Sequence, residues 1–181
     1  MKVIQTSLPG VLVIEPRVFE DDRGFFLQSY HEKQFWDAGL QVTFVQDNHS
    51  FSKRGTLRGL HYQLKHPQGK LVRVVTGEVF DVAVDIRQDS STFGQWVGDI
   101  LSAENKKQLY VPPGFAHGFC VLSETADFLY KCTDFYTPGD EYGVRWDDPD
   151  INIAWPIKDP VLSGKDEVAP LLKEARENLP S

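Results

Sequence analysis

The sequence predicts an all-β protein, a jelly-roll barrel or sandwich with short peripheral helices. Three observations carry that reading. Apolar residues recur with period two, most clearly from Glu78 to Arg87, where Phe80, Val82, Val84 and Ile86 form one face and Val79, Asp81, Ala83 and Asp85 the other. Gly and Pro turns divide the chain into about ten short strand-like runs. Only two segments have helical spacing.

In chain order, strands are expected at Val11–Ile14, Phe25–Tyr30 and Thr43–Phe51. Next comes a basic stretch. Thr56–Gln63 reads as a strand, Leu64–Gly69 as a connection broken by Pro67 and Gly69, and Lys70–Val75 as a returning strand, so a basic hairpin centred on His61 is expected. Thr76-Gly77 is a hairpin-compatible turn into the Glu78 strand. Gln95–Leu101, Gln108–Val111, His117–Leu122 and Ala126–Tyr136 complete the set. A short helix is expected at His31–Ala38, stopped by Gly39, and a C-terminal helix at Val168–Asn178, with Leu171, Leu172 and Ala175 on one side and Pro170 in the first turn.

At 181 residues and 41% hydrophobic, the chain is long and apolar enough for one domain over residues 1–181. Within it the N-terminal strands would occupy about 1–50, the jelly-roll core about 51–150 and the C-terminal segment about 151–181. No apolar run approaches the ~20 residues of a membrane span, and the first residues lack a signal-like apolar core. Cys120 and Cys132 have no metal or redox spacing and read as small buried hydrophobes, which fits a reducing cytoplasm.

Charge is segregated. Between Asn48 and Gly77 there is no Asp or Glu, but six Lys or Arg and three of the five histidines, in a chain of formal charge -7. That cluster suggests an anion pocket, or alternatively an edge strand protected by its charges. The acidic total argues against a nucleic-acid polymer as partner.

The run Val111–Phe119, VPPGFAHGF, reads as strand, turn and returning strand with His117 just past the turn. A Pro-Gly-x-x-His pattern resembles the metal-binding turn of cupin-type jelly rolls. Those proteins also carry a His-x-His pair, and here the corresponding motif is His61-Tyr62-Gln63, with an amide in place of the second imidazole. A cupin-like barrel without a metal is therefore expected. On its own, His61 is either a structural strand histidine or a functional one; its cationic setting favours function.

The motifs DDRGFF (Asp21–Phe26), QDNHS (Gln46–Ser50), LRGLHYQ (Leu57–Gln63), QGKLVRV (Gln68–Val74), PPGFAHGF (Pro112–Phe119), YKCTDFY (Tyr130–Tyr136), GVRWDDP (Gly143–Pro149) and LSGKD (Leu162–Asp166) occur in order along nearly the whole chain. Together they resemble the dTDP-4-dehydrorhamnose 3,5-epimerases, cupin-like sugar-nucleotide enzymes that need no metal. The resemblance implies epimerisation of dTDP-4-dehydro-6-deoxy-D-glucose beside its C4 ketone, no cofactor, and a homodimer. Chemically, a base must remove a proton, a cation must hold the enolate oxygen, and an acid must return a proton to the opposite face.

Carried over by resemblance, His61 is the base, Asp166 its orienting carboxylate, Tyr130 the acid, and Lys70 the cation at the enolate. Arg58 and His117 line the sugar and diphosphate site. Arg23, Gln46, Asp47, Asn48, Glu141 and Lys165 match substrate contacts, and Tyr136 matches an aromatic that stacks on thymine. Gln28 stands where the family commonly has glutamate, losing a charge but keeping an acceptor. Without the resemblance, Asp166 would read as a helix N-cap, Tyr130 as strand packing and Lys70 as a strand-end lysine. Arg58 and His61 have opposite parity in an ideal strand, so a shared pocket requires a bulge or twist at Gly59. Rival readings are a single-centre 3- or 5-epimerase, a sugar-nucleotide-binding jelly roll without catalysis, and a metal-dependent cupin.

Overall fold

The computed structural model describes residues 1–181. In chain order the elements are β1 (Lys2–Gln5), β2 (Leu12–Glu15), β3 (Val18–Asp21), β4 (Gly24–Leu27), helix α1 (Glu32–Asp37), β5 (Gln46–Lys53), β6 (Leu57–Gln63) and β7 (Lys70–Thr76). There follow β8 (Glu78–Asp85), β9 (Trp96–Ser102), β10 (Gln108–Val111), β11 (Phe115–Val121), β12 (Thr125–Cys132), β13 (Glu141–Gly143), helix α2 (Gly164–Glu167) and a 3-10 turn at Arg176–Asn178. One sheet has six strands, ordered β1-β2-β10-β7-β12-β5, and a second has five, ordered β13-β6-β11-β8-β9. Strands β3 and β4 pair only with each other. This two-sheet, antiparallel arrangement is the jelly roll expected from the period-two pattern and the Gly and Pro turns, and its cupin-like character is what the VPPGFAHGF motif suggests.

The inner faces of the sheets share one core, in which Val72 and Val74 of β7 meet Ala83 of β8, Phe119 of β11 and Phe128 of β12. Two further apolar layers lie outside the sheets. Phe35 of α1 and Leu40 cover Leu12, Ile14, Leu71 and Tyr110 on the six-stranded sheet. The C-terminal segment covers the five-stranded sheet, with Ile151, Leu172, Ala175 and Leu179 packed on Leu60, Val82 and Val84. Both faces of β8 are therefore buried, and its inner-face carboxylates Asp81 and Asp85 are fully enclosed with partners.

Three expectations are corrected. First, β6 and β7 form no hairpin with each other, because they belong to opposite sheets; β7 and β8 are likewise split across Gly77. The six residues after β6 bridge the two layers instead. Asp140 holds this bridge by accepting the backbone N–H groups of Lys65 and His66, and Gln63 donates to the His66 carbonyl. Second, the basic cluster disperses with those strands: Lys53, Arg54 and Lys65 are exposed away from the interior.

Third, the C-terminal helix at Val168–Asn178 does not form. Leu172 N–H is taken by the Asp148 carboxylate at 2.7 Å, and the Pro170 carbonyl by Arg145 N–H at 2.9 Å. Their apolar spacing still buries Leu172 and Ala175. A helix so short has little stability of its own, so tertiary partners decide the backbone's path. Three strand ends also move by three residues or more: β4 stops at Leu27, β5 begins at Gln46 and β12 stops at Cys132.

Candidate active site

A change of register in β6 creates the site. His61 lies opposite His117 on β11, but Arg58 lies opposite Phe119, so three steps on β6 face two on β11. The added residue produces a bulge that brings Arg58 and His61 to the same cavity, of about 400 Å³. Gly59 makes this possible. Its φ is +130°, and a Cβ there would stand 2.5 Å from the Gly118 Cα and 2.8 Å from the His117 carbonyl oxygen.

His61 is held from the C-terminal segment. Its Nε2 lies 2.6 Å from Asp166 Oδ1, and since a carboxylate can only accept, Nε2 carries the proton and Nδ1 is the free basic atom. Asp166 is 3% exposed. Burial raises its proton affinity, but the hydrogen bond and charge of His61 outweigh that and hold the carboxyl below its ordinary value. Asp166 is not the cap of α2. Ser163 is, its side chain accepting the Asp166 N–H, which leaves the carboxylate free for the imidazole.

The opposite wall comes from the six-stranded sheet. Lys70 on β7 and Tyr130 on β12 both line the cavity with His61. Burial lowers the Lys70 pKa, with the nearby Cys132 and Glu141 opposing, so its positive charge is weakly solvated and available to a developing anion. Burial, and then the charges of Cys132 and Glu141, push the Tyr130 phenol upward, which favours its protonated form.

His117 completes the floor. It is buried, and its Nε2 sits 3.0 Å from both carboxylate oxygens of Asp81. Burial raises the Asp81 pKa against the pull of His117. Sequence reading missed Asp81, which it placed on a sheet face without a partner. It also missed Ser50, which lines the cavity and whose buried hydroxyl has no hydrogen-bond partner; the alternation of β5 was the available signal for Ser50, and only the β8–β11 pairing could have revealed Asp81.

A second cleft, of about 480 Å³, shares His61, Lys70, Tyr130 and Glu141 with the first and extends to Gln46, Asn48 and Tyr136. Gln46 donates to Asn48 and accepts the Tyr136 backbone N–H at 2.8 Å, so the exposed Tyr136 ring is anchored beside it. Glu141 pairs with Lys165 at 2.8 Å on the cavity rim. Arg58 is steadied by donating to Ser52.

Other expected residues lie elsewhere. The Asp47 side chain alternates to the outer face of β5 and pairs with Lys131. Arg23, at the β3–β4 turn, bonds Asp21, and Gln28 accepts from Gln34. Neither Arg23 nor Gln28 lines a cavity containing His61. Gln63, at the position of the missing imidazole, is committed to the loops through Phe135 and Thr137. No three His, Cys, Asp or Glu side chains come together as a metal site.

Comparison with known proteins bears directly on this arrangement. The family described as dTDP-4-dehydrorhamnose 3,5-epimerase matches residues 5–174. A Shigella flexneri protein of that name is 61% identical over 168 residues, 92% of this chain and 93% of its own length. A Streptomyces niveus dTDP-4-dehydrorhamnose 3-epimerase is 40% identical, over 98% of this chain and 86% of its own. The crystal structure of a Legionella pneumophila dTDP-6-deoxy-D-glucose-3,5-epimerase with dTDP-4-keto-L-rhamnose superposes with a TM-score of 0.96 at 53% identity, covering 99% of this chain and 97% of that one. This chain belongs to the dTDP-4-dehydrorhamnose 3,5-epimerase family.

Proposed function

We infer that the protein is a carbohydrate epimerase of dTDP-L-rhamnose biosynthesis, an isomerase that converts dTDP-4-dehydro-6-deoxy-D-glucose to dTDP-4-dehydro-L-rhamnose by inverting C3 and C5. One observation carries the mechanism: a histidine oriented by a buried carboxylate and a protonated tyrosine enter one cavity from opposite sheets. The C4 ketone acidifies both neighbouring carbons because the carbanion delocalises onto oxygen. His61 Nδ1 removes the proton, Lys70 stabilises the enolate oxygen, and Tyr130 protonates the opposite face. Asp166 fixes the tautomer and stabilises the imidazolium.

Arg58 and His117 are proposed to hold the sugar and diphosphate, Tyr136 the thymine, and Gln46, Asn48, Glu141 and Lys165 the polar groups along the clefts. Residues 1–181 act as one epimerase domain. The enzyme is proposed to be cytoplasmic, in keeping with two free buried cysteines. It is also proposed to be a homodimer: Phe19, Phe25 and Phe26 are each about half exposed or more on the separate β3–β4 hairpin, an apolar patch for a second copy. Arg23 and Gln28 adjoin that patch, so their substrate contacts are assigned to the second copy's cavity. Light scattering giving a monomer at working concentration would refute the dimer.

The deciding experiment is incubation with the 4-keto sugar nucleotide in deuterated water, read by NMR. Deuterium and inversion at both C3 and C5 are expected. Inversion at one centre alone would make the protein a single-centre epimerase, and exchange at neither would leave only binding.

A further inference from the structure

We propose that Glu141 relays the His61 proton to solvent between the two inversions. This rests on the epimerase reading, and the need arises from its proton balance. In the first inversion a C–H bond breaks, its proton goes to His61 Nδ1, and the electron pair enters the enolate. Tyr130 then gives its O–H proton to the other face and becomes a phenolate. The site is left with an imidazolium and a phenolate, the wrong charge state of both groups for the second carbon. One proton must leave Nδ1 and one must reach the phenolate oxygen, with water as carrier, before the chemistry can repeat on the same bound sugar.

Asp166 itself is a poor acceptor for that proton. That carboxylate is buried and already occupied by the imidazole Nε2 and by its place behind the Ser163 cap. On the Nδ1 side the nearest carboxylate oxygen is Glu141 Oε1, at 4.0 Å, a gap closed by one bridging water or a small rotation of the side chain. Lys165 holds the other oxygen, Oε2, at 2.8 Å, which leaves Oε1 turned to the histidine.

Glu141, like His61, borders three compartments. It lines the reaction cavity, the nucleotide-side cleft that Tyr130 opens onto, and a third cavity of about 290 Å³ behind the His61–Asp166 pair. A proton handed to Glu141 therefore has a way out behind the dyad even when substrate fills the reaction cavity and the nucleotide-side cleft.

The test is single-turnover kinetics of wild type, Glu141→Gln and Glu141→Asp with the 4-keto sugar nucleotide in deuterated water, following C3 and C5 separately. Position 141 lies on the short edge strand β13 and is part-exposed, so the isosteric amide keeps the fold. In Glu141→Gln the second inversion is expected to slow by about tenfold or more beyond any slowing of the first, so that singly inverted sugar accumulates. Glu141→Asp restores the ratio of the two rates towards wild type, and added formate accelerates the second inversion of Glu141→Gln in proportion to its concentration. Equal slowing of both steps, or a second step indifferent to formate, overturns the relay and leaves Glu141 as a substrate contact. If wild type inverts neither carbon, the epimerase reading itself falls; if it inverts both while Glu141→Gln slows both alike, only the relay does.

Discussion

His61 and Tyr130 reach one cavity from opposite sheets, His61 from β6 and Tyr130 from β12. In the mechanism proposed above, base and acid then work on opposite faces of a sugar lying between them. His61→Ala is expected to abolish both epimerisation and deuterium wash-in, since no enolate forms without a base. Tyr130→Phe keeps the base, so inversion is expected to fall by about 10²–10⁴-fold and more steeply than exchange, measured by NMR of recovered substrate. Wash-in that survives His61→Ala but not Tyr130→Phe would reverse the roles.

The Asp166 carboxyl binds its proton less tightly in the folded protein than its ordinary value of 3.8. A depressed acid contributes stability above its unfolded pKa and loses it as pH falls through the lower folded value. Asp166→Asn is therefore expected to flatten the loss of stability on acidification below about pH 4, measured by denaturant unfolding at stepped pH. The same variant is expected to reduce kcat while leaving KM nearly unchanged, because it disturbs the base and not the binding groups. An unchanged kcat would separate Asp166 from the chemistry.

Lys70 is placed at a cost to the fold. Its pKa is lowered by burial, so between the folded value and 10.5 the unfolded chain holds more protons and stability rises with pH. Lys70→Met is expected to raise Tm by roughly 2–4 °C, to remove that alkaline slope, and to lower kcat by about 10²–10³-fold. A variant that is less stable and still active would show that the ammonium serves packing alone.

Gly59→Ala tests the bulge. The added Cβ meets the Gly118 Cα and the His117 carbonyl oxygen at a φ that side chains rarely adopt. A loss of about 3 kcal/mol or more is expected, whereas Gly139→Ala, with a positive φ but open space around it, costs less. Equal effects at the two positions would mean that β6 can shift to make room.

The fold was legible because period-two burial is a local property: β8 and β11 can be read from their own residues. Which sheet a strand joins is not local. Thr76-Gly77 suits a hairpin, and nothing within it records that β7 and β8 separate into different layers. The site divides along the same line. The Gly59 parity conflict could be seen in the sequence, and it marks the bulge. The Asp166 contact spans 105 positions, and its simplest local reading as a cap was equally good until Ser163 was seen to fill that role. Val168–Asn178 misled because its apolar spacing records burial against β6 and β8, while its backbone groups bond to Asp148 and Arg145.

The C-terminal segment both covers the five-stranded sheet and brings Asp166 to His61. The two sheets can pair from contacts that do not involve it, so in the order of assembly the barrel can exist before it is an enzyme. Competence is then acquired when the last layer docks, after the long loop-closing contacts have been made. The same dependence operates in reverse. Loosening of this one segment disarms the base while the strands are intact, so on heating, activity is expected to disappear ahead of the far-ultraviolet β signal, and hydrogen exchange along residues 163–179 to report the enzyme's working lifetime better than global melting does.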